Sequence, residues 1–465
     1  MNVVLLSPPY LPEYMRNARC DFVSLSASQW FPILLGYCGC WLEKKGHSVT
    51  IIDAPAYGMS HEEVKNRYIE LKPDLLVVYT GSKSEENDIE FTDALLDTHR
   101  STAVLTGPYF SITPEETLRK SKHDIYGVCG EFDHPVAELA EGKAVKDIKN
   151  LLWKKDGSIV KNDAREYLKR DDLDAFPFVS EFFARHLDFR FYRTPSEYHP
   201  FLDVMTGRGC IWGSCTYCLW VNTFVKGRVY NSRSIRNVID ELSFIERELS
   251  HVKSVMIQDD TLPADRAREL AEEKMRKGIK LPWSCYVRGD VDYTTLRLMK
   301  ESGCRNLHVG YESGSDVVLK RICKGLSKEQ MTTFTADAKK AGLRIHGDFA
   351  IGFPGETEAT VLETINWACK LRPHTAQFQL MIPFKGTPFY RELERGGWLK
   401  DGAPDYPHLG RERMEQLAKK AYRRFYISLP YLLQAIRYPR EHLFNHIKTM
   451  RRAIPAMFWR RWNVR

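Results

Sequence analysis

The chain has 465 residues, 43% hydrophobic and 12% aromatic, which excludes a disordered scaffold and argues for two or three domains. Its net charge of +8 is uneven: from Arg411 onward, 14 Lys and Arg face only Glu412, Glu415 and Glu441, a surplus of 11 that leaves the rest at −3. Basicity is thus a property of the tail alone. No basic leader precedes Val3–Leu6, and the longest nearly apolar run, Trp30 to Leu42, carries Pro32 and is too short for a bilayer. The expected location is cytoplasmic, with no transmembrane segment.

The first 150 residues alternate apolar runs with amphipathic stretches. Strands are predicted at Val3–Leu6, Ser48–Asp53, Leu75–Thr80, Ala103–Gly107 and Ile125–Gly130. Helices are predicted at Ile33–Lys45, His61–Leu71, Asp88–His99, Pro114–Lys120 and Pro135–Glu141. Such alternation argues for a doubly wound, Rossmann-like α/β domain with a parallel sheet, whose ligands sit beyond the carboxyl ends of the strands. Those ends read Thr80-Gly81-Ser82, Gly107-Pro108 and Gly130-Glu131, residues that admit a nucleotide-like or corrinoid ligand or simply make turns. Leu151 to Asn162, with Asp156-Gly157 between two alternating runs, predicts a hairpin. With the Pro-bearing Asp172–Phe178 it forms a connector.

Strand and helix alternate again from Phe201 to Phe384. The strands fall near Leu202–Thr206, Ser254–Gln258, Trp283–Val287, Asn306–Tyr311, Ile345–Ile351 and Ala376–Ile382. Six such units predict a partial (β/α)6 barrel of TIM type, with its chemistry at the C-terminal strand ends. The remainder is helical and basic. The expected domains are 1–145, 146–200, 201–392 and 393–465.

Within Thr206–Trp220 (TGRGCIWGSCTYCLW), Cys210, Cys215 and Cys218 share one loop just past the first barrel strand. In a reducing compartment, clustered cysteines read as metal ligands or catalytic groups rather than disulfides. Three thiolates can hold three irons of a cubane cluster and leave the fourth iron for a non-protein ligand. A structural zinc site wants four protein ligands, and Cys285 or Cys304 would have to be recruited through the fold. Cys20, Cys38, Cys40, Cys129, Cys323 and Cys369 are dispersed and read as buried small hydrophobes.

These residues resemble the radical S-adenosylmethionine superfamily over nearly the whole chain, most closely its class B methyltransferase branch with an N-terminal cobalamin-binding domain. The resemblance implies that the three cysteines bind a 4Fe–4S cluster, whose open iron chelates the amino and carboxylate groups of S-adenosylmethionine. The usual spacing is C-x3-C-x2-C, whereas this chain has C-x4-C-x2-C. One residue of Ile211–Ser214 must therefore bulge, and Gly213 can take the required backbone angle. Asp259 and Asp260 stand where many members place a carboxylate for the methionine ammonium, with a helix N-cap as the alternative for either. Ser284 and Arg288 resemble positions that meet the methionine carboxylate, and Gly310 and Glu312 positions that meet the ribose. The segment from Asp348 to Thr357 resembles the one backing the adenine, and Tyr217 the aromatic flanking the nucleoside. In the first domain, Thr80, Ser82, Gly107, Gly130 and Glu131 resemble the cobalamin-contacting strand ends. The Asp-x-His-x-x-Gly motif that supplies a histidine to cobalt in other corrinoid proteins is absent: Asp53-Ala54-Pro55-Ala56-Tyr57-Gly58 keeps only the aspartate.

The resemblance implies a cobalamin-dependent enzyme that methylates an unactivated sp3 carbon, by 5′-deoxyadenosyl radical hydrogen abstraction and methyl transfer from methylcobalamin. A narrower resemblance is to the glutamine C-methyltransferase that acts on methyl-coenzyme M reductase. A protein or lipid substrate is implied, with an external one-electron reductant such as flavodoxin or ferredoxin. Two other readings stay open. One is radical chemistry without methyl transfer, as in a cyclase, oxygen-inserting or lipid-coupling enzyme. The other is a non-catalytic zinc or iron–sulfur protein that binds nucleic acid through its tail, although nucleic acid is not the expected partner. The cations and aromatics of Tyr422–Tyr426 and Met450–Arg461 read first as a solvated helix capping the barrel. Leu432, Leu433, Ile436 and Phe444 predict docking of that region on the protein itself.

Overall fold

A computed structural model of the chain describes residues 1–16, 21–24, 28–155 and 157–437. Cys20, residues 25–27, Asp156, Phe444 and the Met450–Arg461 cations lie outside them. Two compact units are present. One comprises Met1–Thr194, Pro200–Gly209 and Leu219–Val252; the other comprises Pro195–His199, Cys210–Cys218 and the chain from Lys253. No helix among the described residues is long and apolar enough to cross a membrane.

The first unit is built on a seven-stranded sheet. Five parallel strands, Asn2–Ser7, Ser48–Asp53, Leu75–Tyr79, Thr102–Thr106 and Tyr126–Val128, lie in the spatial order 2-1-3-4-5. Val3 to Leu6 are at most 1% exposed, as expected for a strand covered on both faces. Helix Ile33–Lys44 packs with Asp133–Ala140, while His61–Leu71 and Pro114–Lys120 pack on Glu85–Leu96. A capping box starts His61–Leu71: Ser60 N donates to Glu63 Oε2 at 2.7 Å and Ser60 Oγ accepts from Glu63 N at 3.3 Å. The Leu151–Lys155 and Ser158–Lys161 hairpin is no free connector. It pairs antiparallel with Tyr126–Val128 and extends the sheet.

The second unit carries five parallel strands in sequential order: Ser254–Ile257, Trp283–Val287, Cys304–Glu312, Arg344–Ile351 and Thr375–Leu380. Helices Ala264–Arg276, Tyr293–Glu301, Lys328–Lys340 and Glu358–Leu371 connect them. Their repeat is that of a partial TIM-type barrel. The expected first barrel strand, found at Phe201–Val204, groups with the first unit.

The strand alternation separates two faces. Ile257, Cys285, Leu307 and Ile345 share one register level and are fully buried on the helix-covered side. Tyr286, His308, His346 and Thr375 share the next level on the opposite face. The outer edge of Thr375–Leu380 is covered by helix Arg411–Tyr426, whose Tyr426 hydroxyl accepts from Ala376 N at 2.9 Å and donates to Ala376 O at 2.7 Å. One turn earlier, the Tyr422 hydroxyl meets the Phe378 backbone amide. The expected cap on the barrel is therefore present, but Leu432, Leu433 and Ile436 do not dock. They are 49–70% exposed on helix Leu429–Arg437.

Candidate active site

The loop Cys210–Cys218 belongs to the barrel unit, and its three cysteines are half-buried. Gly213 has φ +54°, the left-handed angle that lets the additional residue bulge. Cys218 N donates to Cys215 O at 3.4 Å, closing the turn that brings these two cysteines to one side. Among the described residues, no three His, Cys, Asp or Glu side chains converge enough to hold one metal ion. A single zinc needs all its ligands within about 2.0–2.3 Å, whereas a cubane takes one thiolate at each of three separate irons and spreads its cysteines apart. Cys285 and Cys304 pair with each other in the core, where burial pushes the Cys285 thiol well up, so neither reaches the loop. This donor set fits a cluster.

Glu312 ends the Cys304–Glu312 strand at a β-bulge, with φ +64°. A non-glycine residue in this region is costly and marks a site where the surroundings enforce the geometry. Glu312 Oε1 lies 3.0 Å from Lys324 Nζ, and Tyr217 hydrogen-bonds the same carboxylate. A Cβ on Gly310 would run into Glu312 Oε1, so the glycine makes room for the folded-back carboxylate. Burial and the neighbouring Glu312 push the Tyr217 phenol well above its ordinary range, and its ring meets Phe353 edge-on at 5.1 Å. Burial works against the Lys324 ammonium, but Glu312 and Cys215 outweigh it and hold the lysine charged.

The structure separates the two aspartates expected to bind methionine. Asp259 is fully buried and bears on Cys285 of the helix-covered face, whereas Asp260 is half-buried. The Ser284 hydroxyl is fully buried with no hydrogen-bond partner among the described residues, while nearby Glu197 accepts from Ser254 Oγ at 2.8 Å; burial pushes the Glu197 carboxyl up to about 7. Arg288 Nε lies 3.2 Å from Asp290 Oδ2, its guanidinium stands 4.8 Å over the Trp212 ring, and Nη1 donates to Lys324 O at 3.3 Å. Asp348 lies 3.3 Å from His346 Nε2. Glu312, Gly310, Tyr217 and Arg288 thus gather at the cysteine loop, and Asp348 joins a neighbouring polar wall.

That wall runs across four strands. The Tyr286 and His308 rings are 4.9 Å apart and the His308 and His346 rings 5.0 Å apart; His346 Nδ1 is 2.7 Å from Thr375 Oγ1. Next to Ile257, the Gln258 amide is 1% exposed, and neither of its polar atoms has a partner among the described residues. An unpaired buried amide costs about 1–3 kcal/mol, so the wall is built to meet a polar group.

In the first unit, the Asn2–Ser7 and Leu75–Tyr79 strands flank the point where the strand order reverses, the ligand crevice of doubly wound sheets. Thr80 lies there but donates its hydroxyl to Thr106 O at 3.0 Å. Ser82 N donates to Asp21, while the Ser82 hydroxyl is buried without a partner among the described residues. Gly107 at φ +112° would bring a Cβ within 3.2 Å of Thr80 O, and Gly130 N donates to Ser111 Oγ at 2.8 Å. Glu131 is committed elsewhere, bound to Arg208 at 2.9 Å in a buried triad with Asp133. Asp53 accepts from the Tyr192 hydroxyl at 3.0 Å. An open Ser82 hydroxyl and side-chain-free backbone at Gly107 and Gly130 fit a corrinoid approaching these strand ends.

Sequence reasoning missed Lys324 and Trp212. Lys324 follows helix Asp316–Arg321 on a short connection, and only the fold turns the lysine inward. Cys323, expected in the core, is exposed at φ +54°.

Residues 204–368 match the family model described as the radical SAM superfamily. Over 423 residues it is 28% identical to an uncharacterized methyltransferase of Pyrococcus horikoshii, covering 87% of this chain and 90% of that one. Over 426 residues it is 24% identical to cytidylyl-2-hydroxyethylphosphonate methyltransferase of Streptomyces wedmorensis, covering 79% of each. Two solved structures carry the comparison to the fold of the cobalamin-dependent branch. The cobalamin-dependent S-adenosylmethionine radical enzyme OxsB with aqua-cobalamin bound superposes at a TM-score of 0.69 and 14% identity, over 97% of this chain and 71% of that one. The radical S-adenosylmethionine methyltransferase TsrM from Kitasatospora setae superposes at 0.66 and 19% identity, over 85% and 76%.

Proposed function

We propose that this protein is a cobalamin-dependent radical S-adenosylmethionine C-methyltransferase acting on an unactivated sp3 carbon of a polar substrate. The observation that carries the reading is the cysteine loop Cys210–Cys218 grouped with the barrel strands, beside the strained Glu312. Cys210, Cys215 and Cys218 would hold the 4Fe–4S cluster. Glu312, Gly310, Asp260 and Arg288 would hold S-adenosylmethionine, and the strand ends at Ser82, Gly107 and Gly130 the cobalamin. When bound, these groups supply a carbon radical strong enough to take hydrogen from an aliphatic C–H, together with a methyl donor.

The chain's own side chains bind and orient. Glu312 accepts hydrogen bonds from vicinal hydroxyls, Asp260 accepts from an ammonium, and Arg288 offers its guanidinium to a carboxylate. Tyr217 closes over Glu312 and limits water at the reacting face. Gln258, Tyr286, His308, His346 and Thr375 offer donors and acceptors, which favours a substrate with a polar, hydrogen-bonding end over a hydrocarbon tail. The Gln258 amide on this face also suits a protein glutamine, the narrower form of the reading. We take a cytoplasmic flavodoxin or ferredoxin as the reductant.

Anaerobic, reconstituted protein incubated with a reductant and an extract of cells lacking the gene should yield both S-adenosylhomocysteine and 5′-deoxyadenosine, with one methylene added to a polar metabolite or to a peptide. Deoxyadenosine without homocysteine product would remove methyl transfer from the reading while keeping the radical. Absence of both would remove the reading entirely.

A further inference from the structure

Helix Leu429–Arg437 turns its sides the opposite way from an ordinary capping helix. Its inward side is polar and aromatic. The Tyr431 ring meets Tyr426 edge-on at 4.7 Å and Phe425 at 5.8 Å, and Gln434 Nε2 donates to His374 O at 3.2 Å. Leu429, Leu432, Leu433 and Ile436, spaced i, i+3, i+4 and i+7, form one row on the opposite side, and all four are exposed. Ile427, just before the helix, is exposed too. Five of the fourteen large hydrophobic side chains exposed among the described residues thus fall within ten positions, a patch rather than the usual scatter.

The charges beside the patch have one sign. Lys420 and Arg423 stand exposed on helix Arg411–Tyr426, and Arg423 O accepts from Ile427 N at 2.9 Å, so this cationic row runs into the apolar one. From Tyr438 onward the sequence holds seven Lys and Arg against Glu441 alone, with Trp459 and Trp462 on either side of Arg460-Arg461. An occupant drawn from this chain, whether its own last residues or a second copy of this region, would bring more positive charge onto a positive face. An anionic bilayer surface meets both properties at once. Leucines enter between the headgroups, cations pair with lipid phosphates, and tryptophans favour the interface. The helix has nine residues, about 13 Å in length against a hydrocarbon core of roughly 30 Å, so it suits the plane of the interface and cannot span.

We propose that the face formed by Leu429, Leu432, Leu433 and Ile436, with Lys420 and Arg423 beside it, docks this protein on an anionic lipid bilayer. His374, which holds Gln434, immediately precedes the strand Thr375–Leu380, whereas Glu312 ends its own strand at the carboxyl side. The docking face and the candidate site thus lie at opposite ends of the parallel strands. Such a face anchors the protein and takes no part in the chemistry at the cysteine loop.

The test is co-sedimentation of the full-length protein with vesicles of mixed phosphatidylglycerol and phosphatidylcholine, and with vesicles of phosphatidylcholine alone. The protein should bind the mixed vesicles about tenfold more tightly, and added salt should weaken that binding. Leu432→Gln combined with Leu433→Gln should lose about tenfold in affinity at an unchanged thermal midpoint, because both side chains are exposed. Lys420→Gln combined with Arg423→Gln should weaken binding to the mixed vesicles and leave binding to phosphatidylcholine as it was. Wild-type protein that stays in the supernatant with both vesicles overturns the proposal, and so does undiminished binding by the leucine variant. A markedly lowered midpoint in that variant would mean that the chain itself covers the face. A wild-type dimer that the same variant dissociates would mean that a second copy does, and retention by RNA with none by vesicles would give the cations to nucleic acid. Each of these three results overturns the proposal as well.

Discussion

Glu312 holds a conformation that its type avoids, and Gly310 exists to leave it room. The family resemblance had named both residues, as positions that meet the ribose. It did not disclose that a bulge at Tyr311 turns the carboxylate back, since register shifts depend on the neighbouring strand. Glu356 is a second residue whose environment decides its chemistry. One of its oxygens accepts from Gly352 N at 2.7 Å and Phe353 N at 3.1 Å, while the other is buried without a partner among the described residues. Burial pushes its carboxyl up to about 7, against roughly 4.3 in an unfolded chain. Between those values the folded protein keeps a proton that the unfolded chain has released. The stability this provides is complete below the lower value and is lost as pH rises through the upper one, a swing on the order of 3 kcal/mol. Glu356→Gln, neutral throughout, should remove that slope. Urea unfolding at about pH 5 and about pH 8 should find the wild type losing more stability between them than the variant does.

At the scale of elements, the last strand of an incomplete barrel presents an unpaired edge, which invites association. Here the edge is met by side chains. Tyr426 pairs with both Ala376 N and Ala376 O, and Tyr422 meets Phe378, so two hydroxyls one helical turn apart replace a missing strand. The helix is secured by Met414, Leu417, Ala418, Ala421 and Phe425, all buried. Its periodicity was legible, and with it the cap on the barrel. The roles of the tyrosines were hidden, because a phenol on a basic helix reads as readily as a surface aromatic. Tyr426→Phe removes two hydrogen bonds and leaves a buried backbone amide and carbonyl unmet, a cost of about 1–3 kcal/mol. Hydrogen exchange at Ala376 should accelerate while exchange in Asn2–Ser7, in the other unit, stays unchanged.

For the whole molecule, the alternation of apolar runs and helical stretches sufficed to find the five parallel strands of each unit, several to within a residue or two of their ends. Strands buried on both faces announce themselves as continuous Val, Ile and Leu runs, and crossover helices must follow them. The division of the chain was less legible. Contacts assign Phe201–Val204 to the first unit and the following cysteine loop to the second, a separation that no linker composition marks. That separation has a chemical consequence. The strand ends proposed for cobalamin and the cysteines proposed for the cluster lie in different compact units, each with its own core, so losing one set of ligands leaves the other folded. Replacing Cys210, Cys215 and Cys218 together with Ala removes three half-buried thiols and no large apolar side chain, so the thermal midpoint should move by only a few degrees. The variant should carry no iron–sulfur absorption and release neither deoxyadenosine nor homocysteine product, while retaining cobalamin-type absorption at the wild-type level. Cobalamin lost together with the cluster would mean that the two sites are one energetic unit, and the separate assignment of their ligands would fail.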